Sequence, residues 1–338
     1  MDKNKKYLSA SRIKTLKSCS WKYWCKYELR LPDTSNDGSS RGSICHTVFE
    51  VLGNPRHRKH FTRIIRKQDI FASEPVKRLI LYHANKLGVA DKDNIDMICE
   101  MILTGLNYDF FGLNLGKPTE ALSEYDFKIE KNEYPIRYNV VGFIDKLFLY
   151  KRKRLAMMRD FKSSAKMFEG EDVDDNLQDW IYSLAIMEHF PEYNNRHNEF
   201  LFLRFMDENG KGVVKMNPIA NHSLTAFEYE LSHYQQMIEQ FDLDAAKSHF
   251  AYDDGFPDSS EGFVKRLNCG FAKYKGQLKS NGNPMWHCSF KFDFDYYIIY
   301  NSDGEIVKSF SEEEFDEDLV PEDCMYVKMH YEGCPRHK

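Results

Sequence analysis

Apolar and polar positions alternate with two different periods along this chain, and the period changes near residue 120. Upstream of that point, apolar residues recur at helical spacing, which predicts helices over residues 11–28, 42–53, 74–88 and 92–111. A stretch rich in Pro, Gly, Ser and Asp predicts a loop at 31–43 that leads into the second helix. Downstream, alternating segments rich in β-branched and aromatic residues predict three consecutive strands over residues 121–131, 134–150 and 154–164.

The pattern changes again in the second half of the chain. It predicts, in order, a helix at 174–189, a strand at 199–207, a hairpin-like turn at 208–212 and a long helix at 222–248. Residues 295–310 predict a strand pair that turns at Asp303 and Gly304, within a region that otherwise reads as irregular. This order favours an α/β class, with α+β character, built on a central mixed sheet flanked by helices.

The element order also predicts the domain organisation. We expect a core over residues 1–205, interrupted by a helical insertion at about 54–115. Residues 206–338 are expected to form a C-terminal extension, with a helix and several cysteines, that packs on this core. A chain of 338 residues is long enough for this arrangement.

Charge and hydropathy narrow the range of partners. The formal net charge is −5, so any nucleic-acid surface must be local. Two basic segments, "RHRKHFTRIIRK" at 56–67 and "KRKR" at 151–154, can each be such a surface or a solvated helix face or turn. No apolar run reaches the roughly 20 residues of a membrane span, and the first residues lack a signal region. We therefore expect an intracellular, cytoplasmic protein without a membrane partner.

Two acidic residues, Asp145 and Asp160, lie within the apolar strands on either side of a basic turn. A charged carboxylate there is costly unless it is paired, protonated or bound to a cation. If the strands pair as a hairpin, both acids reach the same level of the sheet. A divalent cation between them stabilises both in the ionised form, and such oxygen ligands suit Mg²⁺ or Mn²⁺.

Lys162 follows Asp160 by two residues and therefore shares its face of the strand. Its ammonium can position or activate a water there, or stabilise charge in a transition state. The alternative is a plain ion pair with Asp160, which the short D-x-K spacing by itself favours. His46, near the start of a helix, and Gln178 with Tyr182, at i and i+4, are each typical of packing when taken alone. Together with the acids they favour a catalytic site.

In this order and spacing, the segments resemble the RecB-like branch of the PD-(D/E)XK nuclease superfamily over about residues 8–205. "LSASRIKTLKSCSWKYWCKY" is similar to the family's amino-terminal helix, and "RGSICHTVFE" resembles its G-x-x-x-H segment. "GFIDKL" resembles its G-x-x-D strand, "RDFKSS" its D-x-K strand and "QDWIYSLAI" its Q-x-x-x-Y helix. The resemblance implies a restriction-endonuclease-like core with a helical insertion.

The resemblance further implies the residues of a nuclease site. A divalent metal would be bound by His46, Asp145, Asp160 and the backbone carbonyl of Phe161. Lys162 would orient or activate the attacking water, and Gln178 and Tyr182 would support the lysine and the DNA backbone.

The implied activity is metal-dependent hydrolysis of DNA phosphodiester bonds, as an exonuclease or an enzyme that processes ends or single strands. The implied context is replication, recombination or repair, with DNA as substrate and a helicase or another replication or recombination protein as partner. Two other interpretations stay open. One is a catalytically idle nuclease fold that serves as a DNA-binding or assembly subunit, and the other is a core with ordinary ion pairs and no DNA role.

The eight cysteines are spread over the chain without a C-x-x-C pair, which argues against a disulfide framework in an intracellular protein. Some members of the branch bind an iron–sulfur cluster through one cysteine of the amino-terminal helix and three of a compact carboxy-terminal group. Cys19 matches the first position, and Cys269, Cys288 and Cys334 are candidates for the others. Because these three are widely spaced, we expect buried or reactive free thiols, with the cluster as the alternative.

Overall fold

The computed structural model describes residues 5–33, 37–169, 173, 175–205, 211–250 and 269–338. They group into two compact units, the first comprising Met1–Ala10 with Ser35–Gln236 and the second Ser11–Thr34 with Met237–Lys338. These limits differ from the expected boundary at 205/206. Residues 11–34 belong with the C-terminal segment because Trp21 and Cys25 share an apolar core with Tyr296 and Tyr331.

A five-stranded sheet forms the centre of the first unit, with the strands in sequence order. Its strands are β1 (Glu120–Glu133), β2 (Ile136–Tyr150), β3 (Leu155–Lys162), β4 (Asn195–Phe202) and β5 (Val213–Lys215). Neighbouring strands are antiparallel except β3 and β4, which are parallel. A parallel pair needs a crossover connection, and the helix between β3 and β4 provides it. The predicted mixed sheet flanked by helices is therefore confirmed.

Helices pack against this sheet and against one another. The chain begins with α1 (Ala10–Ser18) and α2 (Ser20–Tyr23), which belong almost entirely to the second unit. The helices of the first unit are α3 (Asp37–Gly53), α4 (Arg58–Lys67), α5 (Glu74–Lys86), α6 (Lys92–Asn107), α7 (Leu177–His189) and nearly all of α8 (Asn221–Glu239). The core between α3, α4, α5 and α6 includes Phe49, Ile64, Ile80 and Ile102, all fully buried. Of these helices, α4, α5 and α6 lie within the range of the predicted insertion at about 54–115, whereas α3 precedes it and reaches the edge of the site.

Three helix predictions need correction. Helix α3 begins at Asp37, so the predicted loop is wrong from there to residue 41; its small residues allow close packing, since a Cβ on Gly42 would meet Ser163 Oγ. Helix α4 was not predicted as a separate helix, because its few apolar residues are interspersed among basic ones. The predicted helix at 222–248 is two helices, α8 and α9 (Leu243–Ser248), because the Asp242 side chain caps the amide of Ala245.

The second unit contains a three-stranded antiparallel sheet in the order β7-β6-β8. Its strands are β6 (Phe294–Tyr300), β7 (Ile306–Ser311) and β8 (Met325–Tyr331). The β6–β7 hairpin turns at Asp303 and Gly304 as predicted, whereas β8, which follows the acidic stretch, was read as irregular. The predicted helix at 11–28 is interrupted at Cys19, whose backbone is extended, and continues as a π-helix at Trp24–Glu28.

Two further observations complete the fold. Of the predicted turn at 208–212, residues 208–210 lie outside the described residues. No described helix combines the length and hydropathy that a transmembrane span requires.

Candidate active site and cysteine pocket

The hairpin of β2 and β3 brings two carboxylates to the same level of the sheet. Lys146 pairs with Arg159 across the hairpin, and the next residues along the two strands are Asp145 and Asp160. Both acids are buried. The Asp145 carboxylate accepts a hydrogen bond of 2.7 Å from the amide of Phe161, which fixes it against the neighbouring strand.

Asp160 lies at the centre of one group of contacts. Lys162 Nζ lies 2.5 Å from Asp160 Oδ1 and donates to Gln178 Oε1 at 2.8 Å. Gln178 Nε2 and the Tyr182 hydroxyl both donate to Asp160 Oδ2, at 2.6 and 3.1 Å. The Lys162 contact is an ion pair without hydrogen-bond geometry, so Asp160 Oδ1 has no hydrogen-bond donor among the described residues. The charge of this buried oxygen is balanced by the Lys162 ammonium.

Helix α7 places Gln178 and Tyr182 one turn apart on the same face, next to the strand that carries Asp160. Asn176 caps the start of the helix by accepting hydrogen bonds from the amides of Gln178 and Asp179. Burial, together with the charge of Asp160, raises the pKa of Tyr182 well above its usual value. The hydroxyl therefore stays protonated and donates.

His46 forms a second group of contacts beside the first. From α3, its Nε2 lies 3.1 Å from the carbonyl oxygen of Phe161, and its Nδ1 lies 3.3 Å from Asp145 Oδ1. Burial alone would lower the pKa of His46, but hydrogen bonds to Asp145 and Glu124 outweigh burial and raise it to about 10. Burial and the charge of Asp160 raise the pKa of Asp145. In the absence of a metal, a proton on His46 thus compensates the carboxylates.

Glu124 belongs to this second group and was missed by the sequence analysis. It lies on β1 between the pairs Ser123–Lys146 and Tyr125–Ile144, directly opposite Asp145, and its Oε1 lies 3.9 Å from His46 Nδ1. Its backbone is left-handed, with φ of 48°. Like charges opposite one another and this conformation are both unfavourable. No motif marks Glu124; only the pairing of β1 with β2 reveals it.

The ligand atoms of His46, Glu124 and Asp145 all lie within 4.8 Å of one another. In octahedral Mg²⁺ coordination with bonds of about 2.1 Å, ligand atoms are roughly 3 to 4.2 Å apart. The two distances from His46 Nδ1, 3.3 and 3.9 Å, fall within that range. The two carboxylates and the imidazole are therefore candidate ligands of one divalent cation. Asp160 does not come within 4.8 Å of any two of these residues at once, and the Phe161 carbonyl contacts the other ring nitrogen of His46. We call the candidate site formed by the three residues, with the adjoining Asp160 and Phe161 carbonyl, the metal centre.

A groove of about 650 Å³ opens beside the metal centre and is lined by His46, Phe161 and Lys162. Arg41 and Arg204 contribute positive charge to its wall. The remaining lining consists mainly of small residues with hydroxyl groups or no side chain: Gly38, Ser39, Gly42, Ser43, Ser163 and Ser164. Such a surface suits close approach by a phosphate backbone.

Four cysteines of the second unit line a single cavity of about 180 Å³, although they are far apart in sequence. They are Cys19, Cys269, Cys288 and Cys334, and we call this cavity the cysteine pocket. Backbone hydrogen bonds join their segments: the Cys288 amide donates to the Cys269 carbonyl at 3.0 Å, and the Cys334 amide donates to the Lys291 carbonyl at 3.2 Å. Cys269 and Cys334 are buried, while Cys19 and Cys288 are half-buried.

Backbone amides lie beside three of these sulfurs. The Lys22 amide donates a hydrogen bond to Cys19 at 3.4 Å, and, against the larger effect of burial, the amides of Phe290 and Arg336 lower the pKa values of Cys288 and Cys334. Burial raises the pKa of Cys334 to about 11 and also raises that of Cys288. As free groups these two are therefore neutral thiols, and the amide donors offset part of the cost of a thiolate.

The spacing of the sulfurs distinguishes between metals. Tetrahedral zinc with Zn–S bonds of about 2.3 Å requires sulfurs about 3.8 Å apart. Among the residues that the structure describes, no three cysteine sulfurs lie within 4.8 Å of one another. The cysteine pocket is thus wider than the coordination shell of a single zinc ion. Its four thiols and its amide donors fit a polynuclear iron–sulfur cluster better.

Comparison with known proteins supports the same family. A sequence profile of the PD-(D/E)XK nuclease superfamily matches residues 7–255, well over half of the chain. No curated protein sequence matches.

Two matching solved structures are distant. One is a Eubacterium rectale protein that is provisionally named an exonuclease. Its TM-score is 0.45 and its sequence identity 12%, and the match covers 70% of this chain and 82% of that one. The other, SSO0001, has a TM-score of 0.25 and 15% identity, covering 47% of this chain and 67% of that one. At these scores, neither structure bears on what this chain does.

Proposed function

The chain belongs to the PD-(D/E)XK nuclease superfamily, and we propose that it is a divalent-metal-dependent deoxyribonuclease of the RecB-like branch. The observation that carries the proposal is the convergence of Asp145, Asp160 and Lys162 with His46 on adjacent strands and a helix. We propose DNA ends or single strands as substrate, in replication, recombination or repair.

We assign the metal ligands as follows. Nδ1 of His46, Glu124 and Asp145 hold Mg²⁺ or Mn²⁺, and Asp160 completes the set from the neighbouring strand. The predicted role of the Phe161 carbonyl as a further ligand does not fit this geometry, because that carbonyl contacts Nε2, on the opposite side of the His46 ring. His46 must lose its proton for Nδ1 to bind the cation. When bound, such an ion polarises the scissile phosphate and lowers the pKa of a water. The ion would replace the charge that His46 gives up with its proton, since no described lysine or arginine other than Lys162 forms an ion pair with these carboxylates.

The remaining residues act on the water and on the lysine. Gln178 Oε1 and Asp160 hold Lys162 Nζ at the edge of the groove, where the ammonium orients the attacking water or stabilises charge on the phosphate. Gln178 and Tyr182 keep Asp160 oriented through its second oxygen. Because these contacts exist before substrate binds, the site needs little rearrangement to react.

The proposal is tested by incubating the purified protein with labelled linear and circular DNA and Mg²⁺ or Mn²⁺. The wild type should degrade linear DNA, and EDTA should stop it. Asp160→Asn should abolish cleavage, whereas Asp126→Asn, which removes an exposed carboxylate from β1 outside the site, should cleave like the wild type. Undiminished cleavage by Asp160→Asn would exclude the proposed mechanism.

The alternative is an idle nuclease fold that binds DNA or assembles with a helicase or another recombination protein. It predicts DNA binding without metal-dependent degradation in the same experiment. The complete set of acids and the position of Lys162 favour an active enzyme over an idle fold. Carboxylates directly opposite one another are unfavourable, and an inactive site would gain nothing from them.

We further propose that the cysteine pocket binds an iron–sulfur cluster through Cys19, Cys269, Cys288 and Cys334. The supporting observation is that four distant thiols line one cavity, three of them with amide donors. Anaerobically purified protein should contain iron and sulfide and absorb visible light. Cys288→Ser should lose all three signals, and Cys324→Ser, outside the pocket, should keep them. Stoichiometric zinc without iron would contradict the cluster.

A further inference from the structure

Helix α4 has two faces of opposite character. Phe61, Ile64 and Ile65 lie on one side and pack into the helical core of the first unit, with Ile64 fully buried. The other side carries four exposed cations, Lys59, Arg63, Arg66 and Lys67, which we call the basic face. Their angular positions follow from the turn of 3.6 residues, which places Lys59 and Arg63 opposite Phe61. The apolar side therefore directs the basic face to solvent.

The positive charges of the basic face repel one another and lack negative partners among the described residues. Within the part of the chain that the structure describes, none of its four cations forms an ion pair or a side-chain hydrogen bond. No acidic residue lies in the first turn of α4, where Arg58 and Lys59 meet the unfavourable positive end of the helix dipole. The pKa of His60 is lowered by burial and then by Lys59, His57 and Arg63. An anionic partner would relieve this repulsion.

Helix α3 and a short segment after it connect the metal centre with α4. Helix α3 runs seven residues, roughly 10 Å, from His46 to Gly53, and Gly53 packs against Lys146 Nζ and Ser123 Oγ. Those two residues directly precede or follow Glu124 and Asp145 in their strands, and α4 starts five residues after Gly53. The other basic segment, at 151–154, begins six residues beyond Asp145 along β2, which is about 20 Å.

We propose that the basic face of α4 binds the phosphate backbone of the DNA substrate outside the groove that adjoins the metal centre. The inference rests on the proposed nuclease function and assigns the surface that grips the DNA. Lys59 and Arg63 lie one turn apart, about 6 Å along the axis, a spacing comparable with that of neighbouring phosphates. In a chain of net charge −5, this local face provides the attraction that the overall charge does not.

Two matched double variants test the proposal. K59A/R63A removes one lysine and one arginine from the basic face, and K151A/R152A removes the same pair from the exposed turn after β2. Both pairs are exposed, and alanine favours the helix in α4, so both variants should fold, which circular dichroism checks. Binding of a fluorescent DNA with duplex and single-stranded parts is measured by anisotropy in EDTA, at several salt concentrations, so that no cleavage occurs.

We expect K59A/R63A to weaken binding about tenfold or more at low salt. It should also reduce the slope of log Kd against log salt by about 2, one for each lost phosphate contact. K151A/R152A should stay within about twofold of the wild type with an unchanged slope. Equal loss in the two variants, or none in K59A/R63A, overturns the inference while leaving the nuclease intact. Wild-type protein that neither binds nor cleaves DNA overturns the proposed function, and the inference with it.

Discussion

The metal centre and the cysteine pocket differ in how each would hold a metal. The residues proposed as ligands in the metal centre lie mainly on neighbouring strands, and their polar atoms already contact one another or Lys162, Gln178 and His46. The cysteines are drawn from both ends of the chain, and their sulfurs contact backbone amides. The metal centre is therefore a network of charged groups in mutual contact, whereas the cysteine pocket is a cavity lined by neutral thiols.

The difference follows from the chemistry of the two ligand types. Carboxylates carry charge whether or not a metal is present, so buried carboxylates require internal partners at all times. Thiols with raised pKa values remain neutral when free and need no counter-charge. We therefore expect metal removal to leave the first unit folded, whereas loss of a cluster should destabilise the second.

The largest expected effect separates catalysis from metal binding within the metal centre. Lys162→Met removes the ammonium beside Asp160 and should lower kcat by about a thousandfold or more, since one preorganised electrostatic group is worth that much. Mn²⁺ should still bind, because Lys162 is not a ligand. Single-turnover cleavage and calorimetry measure the two properties. Lys166→Met, on the exposed segment after β3, is the matched control and should cleave normally.

The next effect concerns the stability of the second unit. If the cluster contributes to folding, Cys334→Ser should lower the melting temperature of that unit by roughly 5 °C or more. Cys324→Ser should leave it unchanged, and treatment with a Mg²⁺ chelator should not reproduce the loss. Calorimetric scans of the three samples provide the measurement. Equal melting temperatures for the Cys334 and Cys324 variants would remove the contrast between the two sites.

A smaller effect tests whether Glu124 is a ligand. Glu124→Gln keeps the shape of the side chain but removes a charge facing His46, and should weaken Mn²⁺ binding about tenfold. Excess Mn²⁺ should restore most of the cleavage rate, because the other ligands remain. Asp126→Asn serves as the control on the same strand. Unchanged affinity for Mn²⁺ in Glu124→Gln would remove this residue from the metal centre.

The remaining effect, about tenfold for a change of one pH unit, is a dependence on pH. The pKa of His46 is raised to about 10 in the free protein, above its ordinary 6.5. The stability from its ion pairs is complete below about pH 6.5 and is lost as the pH rises through 10. Metal binding at Nδ1 needs the neutral ring, so a proton is released and affinity for Mn²⁺ should rise up to tenfold per pH unit in this window. Calorimetry in two buffers at pH 8 should count about one proton, and a count of zero would contradict the assignment.

The hairpin with Asp145, Asp160 and Lys162 could be predicted from the sequence because alternation and a two-residue spacing are local properties. Glu124 could not, since its place opposite Asp145 depends on how β1 pairs with β2 and on a left-handed backbone within a strand. For the same reason the β8 strand was missed: it follows an acidic stretch and is defined by its pairing with β6.

The cysteine pocket was harder still to predict from the sequence. Wide sequence spacing between Cys269, Cys288 and Cys334 argued against a common site, yet backbone hydrogen bonds bring their segments together. Spacing along the chain indicates ligand sets only where a single turn or hairpin holds them. The helix within the basic segment at 56–67 was also not predicted, because the apolar residues that pack α4 into the core are few and lie among charged ones.

The most direct test of the account is a joint titration of metal binding and DNA cleavage. Mn²⁺ is added to metal-free wild type and to Asp160→Asn while heat of binding and degradation of linear DNA are recorded on the same samples. The account predicts that cleavage by the wild type rises with occupancy, and that Asp160→Asn binds Mn²⁺ more weakly and does not cleave. Cleavage in the presence of EDTA, or by Asp160→Asn at the wild-type rate, would contradict it.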